Sequence, residues 1–126
     1  MLLEVIIFQV KATCENFNFQ RVGSMLDYGI EADKIIIDPG IGFSKTAEGN
    51  VKIIANAGSF SIGPEVLFGT SRKSFIGKLT GSNVQERLPE TIATSLHLAM
   101  NSVDILRVHD VKENRNSLLM LEQLLL

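Results

Sequence analysis

Charged and hydroxyl side chains collect at three places along this chain, each at the end of a short apolar run. They are Asp38 after KIII, the trio Ser71-Arg72-Lys73 after EVLFG, and Arg107 with His109 after DIL. One acid, several cations and a hydroxyl suit a ligand that has an anionic part and a hydrogen-bonding part. If the three runs end at the same place in the fold, the pattern predicts a single pocket for such a ligand.

Arg107 and His109 are two residues apart at the end of an extended run, so their side chains share one face. A phosphate-sized anion is their natural partner, because a guanidinium binds such an anion bidentately. The alternative is structural, since Arg107 could equally pair with Asp104 or Asp110.

The other two groups also have structural alternatives. Arg72 and Lys73 could be solvated residues at the start of a helix, and Asp38 before Pro-Gly could simply form a turn. The joint occurrence of all three groups at consecutive strand ends favours a binding site, because the carboxyl ends of parallel strands meet on one face of the fold.

The glycine-rich loop DPGIGFSKT, residues 38 to 46, does not fit either common phosphate cradle. A P-loop requires glycine immediately before the lysine and again five residues earlier, where this chain has Ser44 and Pro39. The dinucleotide fingerprint requires a third glycine where Lys45 stands. Phe43, on the same loop as Asp38, suits a flat heteroaromatic ring, although it could equally cover the sheet as a plug.

The apolar runs are typical of strands buried on both faces of a parallel sheet. They are predicted at 34–38, 65–69 and 104–108, with helical patterns at 1–29, 51–57, 74–79, 86–101 and 112–126. Gly29 suits the end of the first helix and Pro89 the first turn of the fourth. Strand–helix alternation predicts an α/β fold, either doubly wound or part of a (β/α)8 barrel.

Length and composition restrict the function further. With 126 residues the chain is at most one domain, and a net charge of −2 gives no electrostatic case for nucleic acid or an anionic membrane. The lone Cys14 fits a reducing compartment, and no run approaches the roughly 20 apolar residues that span a bilayer. We therefore expect a soluble, cytoplasmic protein.

Three segments, DPGIGFSKT, GTSRKSFIG and RVHDV, resemble in order and spacing the C-terminal signature blocks of dihydropteroate synthase. The resemblance runs from about Lys34 to Val111 and includes ERL at 86–88. It implies that residues 1–126 are the C-terminal portion of a pterin-binding domain, with the fold of a partial (β/α)8 TIM barrel, about strands six to eight with their helices. The implied activity is that of a folate-biosynthesis transferase, which joins 6-hydroxymethyl-7,8-dihydropterin diphosphate to 4-aminobenzoate and gives 7,8-dihydropteroate and diphosphate.

The resemblance also implies a role for each residue that matches a signature block. Asp38 and Lys73 would be catalytic. The pterin would contact Asp38, Phe43, Gly69 and Lys73. Ser71 would receive the 4-aminobenzoate carboxylate, and Arg107 and His109 would hold the diphosphate.

The family further implies Mg²⁺ bound to the diphosphate, but this chain retains no residue that matches the family's metal ligand. Three strands would supply only part of a barrel and would leave two unpaired edges. We therefore expect a partner, either a second copy of the chain or an N-terminal half-barrel. The alternative is a truncated, non-catalytic remnant, or one half of a split synthase. Gly49 also departs from the family, where a histidine is usual.

Overall fold

The computed structural model describes residues 6–9, 15–43 and 45–126. Its strands are β1 (Ile6–Gln9), β2 (Ile35–Asp38), β3 (Glu65–Phe68) and β4 (Ile105–Leu106). Its α-helices are α1 (Glu15–Asp27), α2 (Ala47–Ala55), α3 (Ser74–Thr80), α4 (Leu88–Met100) and α5 (Val111–Leu125). Short 3₁₀ turns at Ala32–Lys34, Ala57–Phe60 and Val84–Glu86 complete the connections.

The four strands form one parallel sheet in the order β1-β2-β3-β4. Neighbours in the sheet are therefore neighbours in the chain, each joined to the next through at least one helix. A doubly wound sheet would reverse its strand order at a switch point, whereas the strands of a (β/α)8 barrel follow the chain order. The fold is an arc of such a barrel, as the resemblance implied.

The prediction of one helix over 1–29 was wrong for part of that range. Residues 6–9 form β1, which pairs with β2 so that Ile6 lies opposite Ile35 and Gln9 lies opposite Asp38. Short apolar runs do not distinguish a helix from a strand by periodicity, and this run was assigned to the wrong element. The helical prediction holds for 15–27, and residues 28–29 form a turn after the helix. Residues 1–5 and 10–14 lie outside the described residues.

The predicted strands and most of the predicted helix ends agree closely with the structure, although α2 (Ala47–Ala55) begins four residues before the start predicted at 51. The first helix ends as expected, because Gly29 adopts φ +94° and donates its N–H to Leu26, while Ile30 donates to Met25. Pro89 lies in the first turn of α4. The third predicted strand is shorter than expected, since only Ile105–Leu106 pair with β3.

The core lies between the sheet and the helices that cover it. Its central side chains are those of Ile37, Val66 and Phe68 from the strands, with Phe75 and Leu98 from the helices. The Phe68 ring meets Phe60 edge to face at 5.9 Å between centroids. This packing fixes the strand ends of β2 and β3, from which the polar residues project. Among the described residues, no helix is long and apolar enough to cross a membrane.

Candidate active site

Asp38 is the most deeply buried acid of the site. Its carboxylate is 1% exposed at the end of β2, and Oδ1 accepts the backbone N–H of Gly40 at 2.8 Å. Oδ2 has no hydrogen-bond partner among the described residues. Buried polar atoms are almost always hydrogen-bonded, so this oxygen is available to a donor from a ligand or from water.

Arg107 is the cation that faces this oxygen. Its Nη2 lies 3.6 Å from Oδ2 of Asp38, which makes an ion pair but is too long for a hydrogen bond. The guanidinium crosses Gly69, where an added Cβ would lie only 2.7 Å from Nη2. Of the alternatives left open by the sequence, Asp104 instead accepts the N–H of Val66, and Asp110 pairs with Arg72. Arg107 is thus directed toward the pocket, and half of its side chain is exposed.

Lys73 spans from the end of β3 to the glycine-rich loop. Its Nζ donates to the carbonyl of Ile41 at 2.7 Å and lies 4.6 Å from the centroid of the Phe43 ring, in a cation–π arrangement. Its stem passes within 3.0 Å of the Cβ position of Gly42, which has φ +88°. Glycine is required there both for the backbone conformation and for the room.

Lys45 and Lys73 both lie close enough to Asp38 for its charge to act on their ammonium groups. Burial is the main cause that lowers the pKa of Lys73, the charge of Arg107 lowers it further, and Asp38 opposes both. Lys45 donates its Nζ to Gly40 and Phe43 carbonyls, and burial lowers its pKa while Asp38 raises it. A concentration of positive charge around one carboxylate is suited to an anionic ligand.

Ser71 and His109 join the ends of β3 and β4. The Ser71 hydroxyl oxygen accepts the backbone N–H of His109 at 3.2 Å and lies 2.9 Å from ring Nδ1. Ser71 is 5% exposed, whereas the imidazole is exposed at the same edge as Arg107. The two residues therefore form a fixed polar pair at the rim of the pocket.

Arg72 lies on the outer side of this edge. Its Nε and Nη2 donate to the two carboxylate oxygens of Asp110 at 3.2 and 2.7 Å, and its backbone N–H donates to Thr91 on α4. The ion pair with Asp110 raises the pKa of the already strongly basic guanidinium. Arg72 thus ties the loop after β3 to the loop after β4 and does not point at Asp38.

The structure brings all the predicted site residues to one edge of the sheet, at the carboxyl ends of β2, β3 and β4. They are Asp38, Phe43, Gly69, Ser71, Lys73, Arg107 and His109. The sequence reading missed Asn50 and Lys45, which fix the glycine-rich loop. Asn50, on α2, is 2% exposed and accepts the N–H of Gly42 at 2.8 Å. The available signal was a polar amide just before the helix predicted at 51–57, which is weak because such residues usually face solvent or form turns.

The site does not fit a protein-bound metal ion. Nowhere in 6–9, 15–43 and 45–126 do three or more His, Cys, Asp or Glu side chains cluster as metal ligands. Around Asp38 the neighbouring side chains are cations, whereas Mg²⁺ prefers oxygen ligands.

A comparison with protein families identifies the chain. The family model described as pterin binding enzyme matches residues 8–109. The chain belongs to this family. The matched range includes Asp38, Lys73 and Arg107, together with the other residues of the pocket.

Dihydropteroate synthases of two bacteria are similar to most of this chain. Dihydropteroate synthase of Clostridium beijerinckii is 43% identical over 90 residues, which cover 70% of this chain and 34% of the relative. That of Escherichia coli K12 is 33% identical over 114 residues, which cover 90% of this chain and 40% of the relative. The chain thus spans about a third to two fifths of these relatives.

Solved structures agree with the fold. Xanthomonas albilineans dihydropteroate synthase, solved with 4-aminobenzoic acid, superposes with a TM-score of 0.84 at 29% identity, covering 94% of this chain and 49% of that one. The Yersinia pestis synthase gives 0.83 at 31% identity, covering 93% of this chain and 56% of that one. Both the partial-barrel fold and the resemblance to dihydropteroate synthase are confirmed.

Proposed function

We propose that this chain supplies the pterin and diphosphate side of a dihydropteroate synthase site. The reaction joins 6-hydroxymethyl-7,8-dihydropterin diphosphate to 4-aminobenzoate and releases diphosphate. The observation that carries the proposal is the buried Oδ2 of Asp38, which lacks a hydrogen-bond donor among the described residues. A pterin carries an amino group and a ring N–H side by side, and these would supply donors to both carboxylate oxygens.

Lys73 and Phe43 would hold the rest of the pterin ring. Among the described residues the Lys73 ammonium has one acceptor, the Ile41 carbonyl, which leaves protons for a ring acceptor of the pterin. Phe43, which is 49% exposed on the loop, offers a flat apolar face beside that ammonium. Asp38 and Lys73 would both hydrogen-bond the polar edge of the electron-poor ring. This is the catalytic role that the resemblance implies for them.

Arg107 and His109 would stabilise the leaving diphosphate. The aromatic amine of 4-aminobenzoate forms a C–N bond to the pterin methylene while the C–O bond to diphosphate breaks, and the amine then releases a proton to solvent. Negative charge grows on the departing oxygen, and the Arg107 guanidinium and the His109 imidazole would stabilise it there. Gly69 leaves the room that the Arg107 guanidinium occupies.

Ser71 would receive the 4-aminobenzoate carboxylate at the rim of the pocket. Its Oγ already accepts the His109 backbone N–H. The hydroxyl proton is free for the carboxylate only when Nδ1 of His109 carries hydrogen, because Ser71 otherwise donates to Nδ1. Binding of the aminobenzoate should therefore favour the Nδ1–H form of the ring.

The remaining contacts must come from elsewhere in a barrel. The outer edges of β1 and β4 have no paired strand among the described residues. A half-barrel partner with the N-terminal strands, or a second copy of the chain, would cover these edges and enclose the pocket. Any Mg²⁺ on the diphosphate would need ligands beyond those described, so we assign no step to it.

An assay of dihydropteroate formation tests the proposal. The purified chain would be measured alone and mixed with the N-terminal half of the C. beijerinckii relative. We expect turnover in the mixture. With Asp38→Asn the rate should be at least about a hundredfold lower, because the loss of one preorganised polar contact to the transition state typically lowers the rate by that factor. Asp33→Asn, an exposed acid just before β2, is the matched control and should retain the rate.

Calorimetric titration with 6-hydroxymethylpterin separates the alternatives. Binding that is lost in Asp38→Asn, without turnover in any mixture, would favour the non-catalytic remnant and overturn the catalytic proposal. Absence of both binding and turnover would overturn the assignment of the pterin pocket itself.

A further inference from the structure

The peptide group between Ile41 and Gly42 is held at both of its ends by side chains. Its carbonyl accepts from Nζ of Lys73 at 2.7 Å, and its N–H donates to Oδ1 of Asn50 at 2.8 Å. Lys73 comes from the end of β3 and Asn50 from α2, so two different elements fix the plane of one peptide. The carbonyl can point at Lys73 only while the N–H points at Asn50.

Without these two hydrogen bonds, the peptide between Ile41 and Gly42 could rotate. A rotation of the 41–42 peptide plane changes ψ of Ile41 and φ of Gly42, and glycine tolerates either sign of φ. Gly42 has φ +88° in the structure. Without an acceptor for its N–H, the rotated peptide would turn the carbonyl away from Lys73 and leave the ammonium, already depleted of water, without that partner.

Asn50 is itself rigidly placed. It is 2% exposed in the first turn of α2, where the Thr46 side chain caps the helix by accepting the N–H of Gly49. Its backbone N–H also donates to the Thr46 carbonyl. The backbone that carries this side chain is therefore fixed by the helix start, not by the loop.

We propose that Asn50 is a positioning residue for Lys73, acting through the Ile41–Gly42 peptide. It sets the direction of the carbonyl that holds the Lys73 ammonium beside the Phe43 ring. The consequence for pterin affinity rests on the proposed function, whereas the coupling between Asn50 and Lys73 does not. A merely structural role, in which Asn50 satisfies one buried N–H, would leave Lys73 undisturbed.

NMR on the full chain distinguishes the two roles, because it follows the Gly42 amide and the Lys73 ammonium separately. Asn50→Leu keeps the approximate volume and removes the acceptor. We expect both groups to exchange hydrogen at least about tenfold faster, as when a hydrogen bond worth roughly 1.4 kcal/mol is lost. Asn50→Asp retains an acceptor oxygen and should restore the protection of Gly42. Asn56→Leu, at the other end of α2 and exposed, is the matched control and should change neither group.

The exchange rates of the two groups decide whether Asn50 positions Lys73. Faster exchange at Gly42 with an unchanged Lys73 ammonium would overturn it, and so would unchanged exchange at both. If Asn50→Leu does not fold, Lys73→Met provides the reciprocal test: faster exchange of the Gly42 amide supports the coupling, and unchanged exchange overturns it.

Titration with 6-hydroxymethylpterin then separates this proposal from the proposed function. Where wild type binds, Asn50→Leu should weaken binding about tenfold, and an unchanged affinity would count against the positioning role. Where wild type does not bind but the NMR coupling is present, the pterin assignment fails and the coupling stands.

Discussion

The hydroxyl oxygen of Ser71 contacts His109 twice, at the backbone N–H and at ring Nδ1, with separations of 3.2 and 2.9 Å. Ser71 follows β3 and His109 follows β4, so one side chain fixes two loops relative to each other. The pair lies at the strand ends where Arg107 also emerges. We therefore expect Ser71 to matter for diphosphate binding even without touching the diphosphate.

Ser71→Ala should weaken the binding of inorganic diphosphate by about tenfold, because the released His109 ring no longer faces the pocket in one orientation. Calorimetric titration measures this directly. Ser71→Thr retains the hydroxyl and should restore most of the affinity, and Ser61→Ala, an exposed serine far from this edge, serves as the control. Equal affinity of Ser71→Ala and wild type would refute the coupling.

Gly69→Ala should damage anion binding and spare the fold. An added Cβ would lie 2.7 Å from Nη2 and 3.0 Å from Nε of Arg107, so the guanidinium must move away from Asp38. We expect diphosphate affinity to fall about tenfold and the melting temperature to change little, since the obstructing atoms belong to a flexible side chain. Both quantities are measured on the same sample, by titration and thermal denaturation.

Gly58→Ala is the control for that substitution, because its Cβ would meet nothing nearer than the Asn101 carbonyl at 3.7 Å. It should leave both affinity and melting temperature close to wild type. A Gly69→Ala variant that bound diphosphate normally would show that Arg107 does not need its observed place over the glycine.

Much of this site was accessible from the sequence. Three apolar runs predicted parallel strands, and polar residues at their ends predicted one pocket, because strand direction alone brings carboxyl ends together. The contacts that fix the pocket were not accessible. That Arg107 pairs with Asp38 and not with Asp110 depends on distances across the sheet, which local spacing does not encode. Asn50 likewise meets Gly42 only through the packing of α2.

The alkaline limit of pterin binding should depend on Arg107. In the proposed function a ring acceptor of the pterin binds the Lys73 ammonium, whose pKa is lowered first by burial and then by the charge of Arg107. Arg107→Gln removes the second cause, so the pKa of Lys73 rises and binding should persist to higher pH. Titration of 6-hydroxymethylpterin against pH measures the limit. A limit that stays in place or falls would show that Arg107 does not act on Lys73.

The same lowered pKa predicts the sign of a stability change. Between the lowered pKa of folded Lys73 and its ordinary value, the unfolded chain binds more protons than the folded one. The free energy of unfolding should therefore gain a contribution that rises with pH across this window. Lys73→Met removes that contribution, so in urea denaturation at several alkaline pH values the unfolding free energy of wild type minus that of Lys73→Met should increase as pH rises. A value of this difference that stays constant or decreases would contradict the assignment.

Arg72 combines an ion pair with a backbone conformation that side chains rarely adopt, φ +56°. Three variants separate the contribution of the ion pair from that of the backbone strain. Arg72→Ala loses the pair with Asp110 and keeps the strained backbone, whereas Arg72→Gly loses the pair but relieves the strain. Asp110→Asn keeps the backbone of Arg72 and weakens only the charge interaction.

We expect the melting temperature of Arg72→Gly to exceed that of Arg72→Ala, with Asp110→Asn close to wild type because a half-exposed ion pair contributes little. Lys78→Ala, an exposed cation on α3, controls for the loss of one positive charge. Arg72 lies between Ser71 and Lys73, so both pair-deleting variants should also weaken diphosphate binding, although the guanidinium itself faces away from Asp38. If Arg72→Ala were the more stable of the two, the left-handed backbone at this position would not be under strain.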